Sequence, residues 1–99
     1  MASEILNDDP VLTLEELCEN CGLPAAKVTA YVEEGLIEVR GEVVTEWRFS
    51  EASIVQIGKA HRLEQDLRLN PAGATLVLEL IARIEALKAQ IRRLEKSSP

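Results

Sequence analysis

Two cysteines three residues apart, Cys18-Glu-Asn-Cys21, are the side chains of this sequence whose spacing first suggests chemistry. A structural zinc site takes four sulfur or imidazole ligands. Beyond this pair the chain offers one histidine, His61, and no further cysteine. A redox dithiol of this spacing stands at a helix N-terminus, where the dipole favours the thiolate. Both thiols here fall late in a short helix, on the face that carries Leu14 and Leu17, so the pair reads as reduced and buried in the core. His61 has no serine, cysteine or carboxylate at a spacing that suggests a triad, and reads as solvated or partly packed. The glycines (Gly22, Gly35, Gly41, Gly58 and Gly73) are dispersed, so no loop is built to cradle phosphate. Glu33 and Glu34 are adjacent at a helix end rather than opposed across a cleft. These side chains predict a protein that is not an enzyme, with no catalytic residue, no metal and no cofactor.

Charge is the more informative property. The formal net charge of −6 is unevenly spread over the 99 residues, a length that suits one domain. Up to residue 21 the chain carries Glu4, Asp8, Asp9, Glu15, Glu16 and Glu19 and no cation. Glu33, Glu34, Glu38 and Glu42 then outnumber Lys27 and Arg40, and residues 46–70 are balanced. Only the last stretch is basic, with Arg83, Lys88, Arg92, Arg93 and Lys96 against Glu79, Glu85 and Glu95. Phosphate neutralisation needs clustered lysine and arginine, so an acidic body argues against nucleic acid. It favours a basic protein surface as partner. No apolar run approaches the ~18 residues of a membrane span, and Met1-Ala2-Ser3-Glu4 lacks the features of a signal peptide. The expectation is a cytoplasmic protein without a membrane partner.

The elements that hold these residues can be read in order. Residues 1–12 form a polar arm containing Pro10. Thr13 and Glu16 have the spacing of a capping box, and Leu14, Leu17, Cys18 and Cys21 mark one helical face that Gly22 ends. Pro24 fits the first turn of a second helix with Ala25, Val28, Tyr31 and Val32 inward and Gly35 closing it. Two short helices about a tight turn outline a helix-turn-helix. Leu36–Arg40 and Val43–Phe49, about Gly41-Glu42, predict a short β-hairpin wing. Ser50 is expected to cap a third helix with Ile54, Ile57, Ala60, Leu63 and Leu67 along one stripe, and Asn70-Pro71 to start a fourth. In that last helix Val77, Leu80, Ile84, Leu87, Ile91 and Leu94 alternate at spacings of three and four, the seam of a coiled coil. A helix of ~25 residues runs about 37 Å, too long for so small a core to cover. The seam therefore predicts a homodimer. The fold class is mainly α: a winged helix-turn-helix over residues 13–70, a dimerisation helix over 71–96 and a tail at 97–99.

The order of these pieces resembles the MerR family, and within it the CbpM family of chaperone modulators, over roughly residues 12–95. The resemblance rests on Leu14-Glu-Glu-Leu-Cys18, Tyr31-Val-Glu-Glu-Gly35-Leu-Ile37, Trp47-Arg-Phe49-Ser50-Glu51, His61-Arg-Leu63-Glu-Gln-Asp-Leu67-Arg-Leu69-Asn70 and the following Ala72-Gly-Ala. MerR-type recognition helices carry patterns like Arg-Thr-Leu-Arg-Tyr-Tyr. Here the stretch is Ala26-Lys27-Val28-Thr29-Ala30-Tyr31, with Lys27 the one cation left to contact DNA. The resemblance implies a protein that binds the J-domain of a CbpA-like co-chaperone and inhibits both its stimulation of DnaK and its DNA binding. A MerR-like DNA-binding regulator, relying on Lys27, Arg40 and Arg48, is the alternative. For the J-domain reading the expected contacts are Glu33, Glu34, Glu38 and Glu42, with Glu15, Glu16 and Glu19 next and Tyr31 or Trp47 as an apolar anchor.

Overall fold

The computed structural model describes residues 9–97, so the expected arm lies outside it up to residue 8, as do residues 98 and 99 of the tail. Helix α1, Leu14–Cys21, begins at its capping box: Thr13 Oγ1 accepts the Glu16 amide at 3.1 Å, and Glu16 Oε1 accepts the Thr13 amide at 2.9 Å. It ends at Gly22, whose φ of 68° lets its amide reach the Cys18 carbonyl at 2.8 Å. Helix α2, Ala25–Glu33, starts one residue later than expected. Pro24 stands ahead of it in extended backbone, and its carbonyl accepts from Lys27 and Val28. Val28 and Tyr31 are buried and Val32 is half-buried; Ala25, expected on that face, is exposed in the opening turn.

The wing differs from a hairpin of paired strands. One antiparallel bridge, Arg40 with Arg48 at 3.0 and 2.9 Å, closes the loop, and a second joins Leu12 to Phe49. Between the arginines the chain turns through a 3-10 helix, Val44–Glu46, instead of extending. Gly41 permits this path. At a φ of 113° its α-carbon lies so close to the Glu46 carbonyl that a Cβ would come within 2.5 Å of the oxygen. Only glycine fits so close an approach, and here the loop folds onto itself instead of forming a ladder.

Helix α3, Ala52–Leu67, forms without a side-chain cap. Ser50, expected to cap it, lends only its carbonyl, to the Ser53 amide at 3.1 Å, and Glu51 takes the capping position. The buried stripe is Ser53, Ile57, Ala60 and Glu64, flanked by half-buried Ile54 and Leu63. Leu67, expected inside, is exposed in the last turn, where Arg68 enters left-handed backbone (φ 56°) and stops the helix. Helix α4, Pro71–Ser97, starts as anticipated, with the Asn70 side chain accepting the Gly73 amide at 2.8 Å.

The molecule is mainly helical. Its core is Leu17, Val28, Tyr31, Ile37, Phe49, Ile57, Ala60 and Ala74. Helix α3 lies against α1 and α4, and α2 against α1 and α4. Only the start of α4 takes part, through Ala74, Thr75 and half-buried Leu78. At 1.5 Å per residue, the 27 residues of α4 account for much of the 56 Å length of the molecule. Thr13→Ala, which removes the cap of α1, is expected to cost about 1 kcal/mol and to lower Tm by roughly 4–8 °C. Thermal melting followed by circular dichroism measures this, and an unchanged Tm would mean that the cap is dispensable.

Candidate functional site

In a helix-turn-helix the second helix is the one placed to read DNA, so the side chains of α2 decide what this surface can bind. Its single cation is turned away. The Lys27 ammonium is paired with Glu64 Oε1 on α3, and Tyr31, one turn along α2, donates its hydroxyl to Glu64 Oε2. Lys27 Nζ also lies 5.8 Å from the centroid of the Tyr31 ring. Glu64 is buried and Tyr31 fully so. Burial pushes the Tyr31 hydroxyl well above the usual phenol range, and its bond to the Glu64 carboxylate and that carboxylate's charge push it further the same way. Tyr31, expected as a surface anchor, is therefore a core residue: its ring packs among helices and its only polar atom is spent on Glu64.

The surface left around α2 is acidic. Glu33 ends the helix, Glu34 caps it, Glu38 follows the turn at Gly35, and Glu42 follows Gly41 in the wing. All four are exposed, and among the described residues no cation of the chain pairs with them. Glu38 lines an open groove of about 780 Å³ shared with Leu36, Val39, Arg40, Arg48 and Gln56; Glu33, Glu34 and Glu42 do not line it. Trp47 is half-buried, edge-on to Phe49 with ring centroids 6.0 Å apart, so part of its ring faces solvent.

Sequence reasoning missed Glu64. The signal was present, because Ile57, Ala60 and Glu64 share one stripe at spacings of three and four, and a carboxylate there needs a buried partner. It also missed that Val43 and Val44, read as strand residues, are more than half exposed.

The cysteines are free and half-buried rather than fully buried, since both lie at the margin of the face that Leu17 seals. Burial raises both thiols above their ordinary range, helped by the charge of Glu19 at Cys18 and by Cys18 at Cys21. That is opposite to the depression a reactive thiol needs. His61 is half-buried with an enclosed Nδ1 that has no hydrogen-bond partner among the described residues. Among those residues no three His, Cys, Asp or Glu side chains gather as a metal site, and no helix is long and apolar enough to cross a membrane. Along α4, Leu80, Ile84, Leu87, Ile91 and Leu94 are 49–63 % exposed and Val77 is half-buried, so the seam does not fold back on its own body.

Comparison with known proteins identifies relatives of this chain. Residues 12–96 match the family described as MerR HTH family regulatory protein. Relatives named chaperone modulatory protein CbpM include that of Pseudomonas entomophila (strain L48), 32% identical over 80% of this chain and 78% of its own length. That of Pseudomonas putida (strain W619) is 30% identical over the same shares. That of Coxiella burnetii (strain Dugway 5J108-111) is 29% identical over 93% of this chain and 87% of its own.

Tyr31→Phe leaves one Glu64 oxygen unsatisfied and is expected to cost about 1–2 kcal/mol. Glu64→Ala leaves the buried Tyr31 hydroxyl without its acceptor and frees part-exposed Lys27, and is expected to cost about 1–3 kcal/mol. The folded chain keeps the Tyr31 proton at pH values where the unfolded chain has lost it. The stability this lends is whole below about pH 10 and is lost as pH rises further. Urea unfolding across that range should show the alkaline decline flattened in Tyr31→Phe; equal declines would assign it to other groups.

Proposed function

The chain belongs to the CbpM family of MerR-like chaperone modulators, and from that premise we propose that it binds the J-domain of a CbpA-like co-chaperone through the acidic face around α2 and the wing. Binding there blocks the co-chaperone's stimulation of DnaK and restrains its binding to DNA. The protein acts by occupying a surface and catalyses nothing. It works in the cytoplasm.

One observation carries the reading: Lys27 is sequestered by buried Glu64, while Glu33, Glu34, Glu38 and Glu42 stay exposed and unpaired by any cation among the described residues. Without a free cation the would-be recognition helix has nothing to set against phosphate. A J-domain presents a basic helix to DnaK, and an acidic face on a rigid scaffold docks such a helix by charge complementarity, which speeds encounter and fixes register. Masking that helix suffices to deny it to DnaK. The exposed arginines Arg40 and Arg48 are the observation on the side of DNA binding; steep loss of DNA retention with added salt would support that alternative.

The second part of the proposal is a homodimer through Val77, Leu80, Ile84, Leu87, Ile91 and Leu94. Six apolar side chains in one stripe, on a helix that leaves its own core, are a poor match for water and a good one for a second copy. Ile84→Glu/Leu87→Glu should convert a species with the mass of two chains into one with the mass of one. Light scattering reads this, and a monomeric wild type at micromolar concentration would end the dimer proposal.

For the partner, calorimetric titration with the J-domain of the host's own CbpA-like co-chaperone at two salt concentrations is decisive. Affinity should fall with salt, and fall at least about tenfold when Glu33, Glu34, Glu38 and Glu42 are changed to Gln. Binding indifferent to both would move the site elsewhere on the molecule, and absence of binding would refute the partner.

A further inference from the structure

The folded chain leaves two valines in water at the wing tip. Val43 and Val44 are 53 % and 52 % exposed, and neither packs against the core. They are also held still. The Glu46 amide donates to the Val43 carbonyl at 2.8 Å, the Trp47 amide to the Val44 carbonyl at 3.2 Å, and the bridge between Arg40 and Arg48 closes the loop beneath them. Gly41 packs against the Glu46 carbonyl, where a Cβ would come within 2.5 Å of the oxygen. β-Branched side chains on a fixed turn lose little conformational freedom when covered, which suits them to an interface.

The charges around the tip say what covers it. Exposed Glu42 and Glu46 flank the two valines. The wing's cations lie at its base, where Arg40 faces Arg48 and one Arg48 nitrogen donates back to the Trp47 carbonyl at 2.7 Å. An apolar pair rimmed by carboxylates fits apolar side chains that are themselves rimmed by lysine and arginine. It repels an anionic lipid surface or a nucleic acid backbone. A second copy offers a basic, apolar helix end at Ile91–Lys96, but Ile91 and Leu94 there belong to the proposed seam.

We propose that Val43 and Val44, between Glu42 and Glu46, are the apolar anchor of the docking face and seat the apolar side chains of a cationic amphipathic helix on the chaperone partner. This rests on the reading of the J-domain as that partner. It gives the anchoring role, which fully buried Tyr31 cannot fill, to the wing tip.

The test is titration of the host co-chaperone's J-domain into the wild type, Val43→Ser/Val44→Ser and the isosteric Val43→Thr/Val44→Thr. The serine pair should weaken binding about tenfold, with the threonine pair in between. Because the carboxylates are untouched, the salt dependence of affinity should not change. Tm and oligomeric mass should stay at wild-type values. Undiminished affinity in both folded variants would overturn the anchor while leaving the J-domain as partner. A variant that loses self-association instead would reassign the tip to contact between copies. A wild type that binds no J-domain overturns both the anchor and the reading beneath it, so the two failures are told apart.

Discussion

A carboxylate inside a protein needs partners for its oxygens, and Glu64 has two. Lys27 supplies the charge and Tyr31 the second hydrogen bond, both from α2, while Glu64 itself comes from α3. Desolvating one charge without the other costs several kcal/mol, so the three groups are ordered together or not at all. Their geometry fixes how α2 lies relative to α3. Tyr31 and Val28 on that same helix contribute to the core, with Ile57 and Ala60 facing it from α3. Helix α2 is nine residues long and lacks a side-chain cap, so its own propensity does little to hold it. The buried ionic contact and the apolar residues beside it do that instead.

The same contact divides the molecule's charge. Folding consumes a cation on the face where a DNA-binding relative would keep one, and exposes the acids that follow. A chain with a single lysine in its second helix could, by composition alone, still bring that lysine to a phosphate. Pairing it with a buried carboxylate directs it toward α3 instead. The acidic potential of the α2 and wing surface therefore comes as much from where Lys27 points as from how many glutamates are present. Helix α4 supplies the opposite sign: beyond residue 86 its charges are Lys88, Arg92, Arg93, Lys96 and Glu95. The body and the stalk are thus chemically distinct surfaces joined at Ala74, Thr75 and Leu78.

Local signals in the sequence translated well. Thr13 with Glu16, Gly22, and Asn70 with Pro71 each specify hydrogen bonds within four residues, and each stands where such bonds place it. Signals that depend on the third dimension did not. The wing looked like two strands because Val, Ile, Trp and Phe suit strands. The close approach of Gly41 to Glu46, and the 3-10 turn beside it, are features the residue types do not announce. Ser50 is a good capping residue by type, yet the chain enters α3 one position later, at Glu51. The acids of the candidate face were legible as charges and proved exposed. Tyr31 reads both as an inward residue of α2 and as a surface anchor; the first reading is the one the structure bears out, and Glu64, thirty-three residues away, decides between them. Exposed apolar residues were legible on α4, where they repeat, and illegible at Val43 and Val44, where they do not.

A fold that serves DNA recognition elsewhere can lose that function without losing its architecture, because the requirements are separable. The architecture needs the helix caps, the small core and the Lys27–Glu64–Tyr31 contact. DNA recognition needs cations and hydrogen-bonding side chains on exposed positions that the core does not use. On α2 the exposed opening residues are Ala25 and Ala26 and the closing ones Glu33 and Glu34. None of these can donate a hydrogen bond to a base edge or neutralise a phosphate from its side chain. Stability does not oppose such replacements, since solvent-facing substitutions cost little. What remains is a rigid scaffold presenting carboxylates on one surface and an unpartnered apolar seam on another. Of the macromolecules such surfaces can meet, a protein with a basic helix matches the first and a second copy of the chain matches the other.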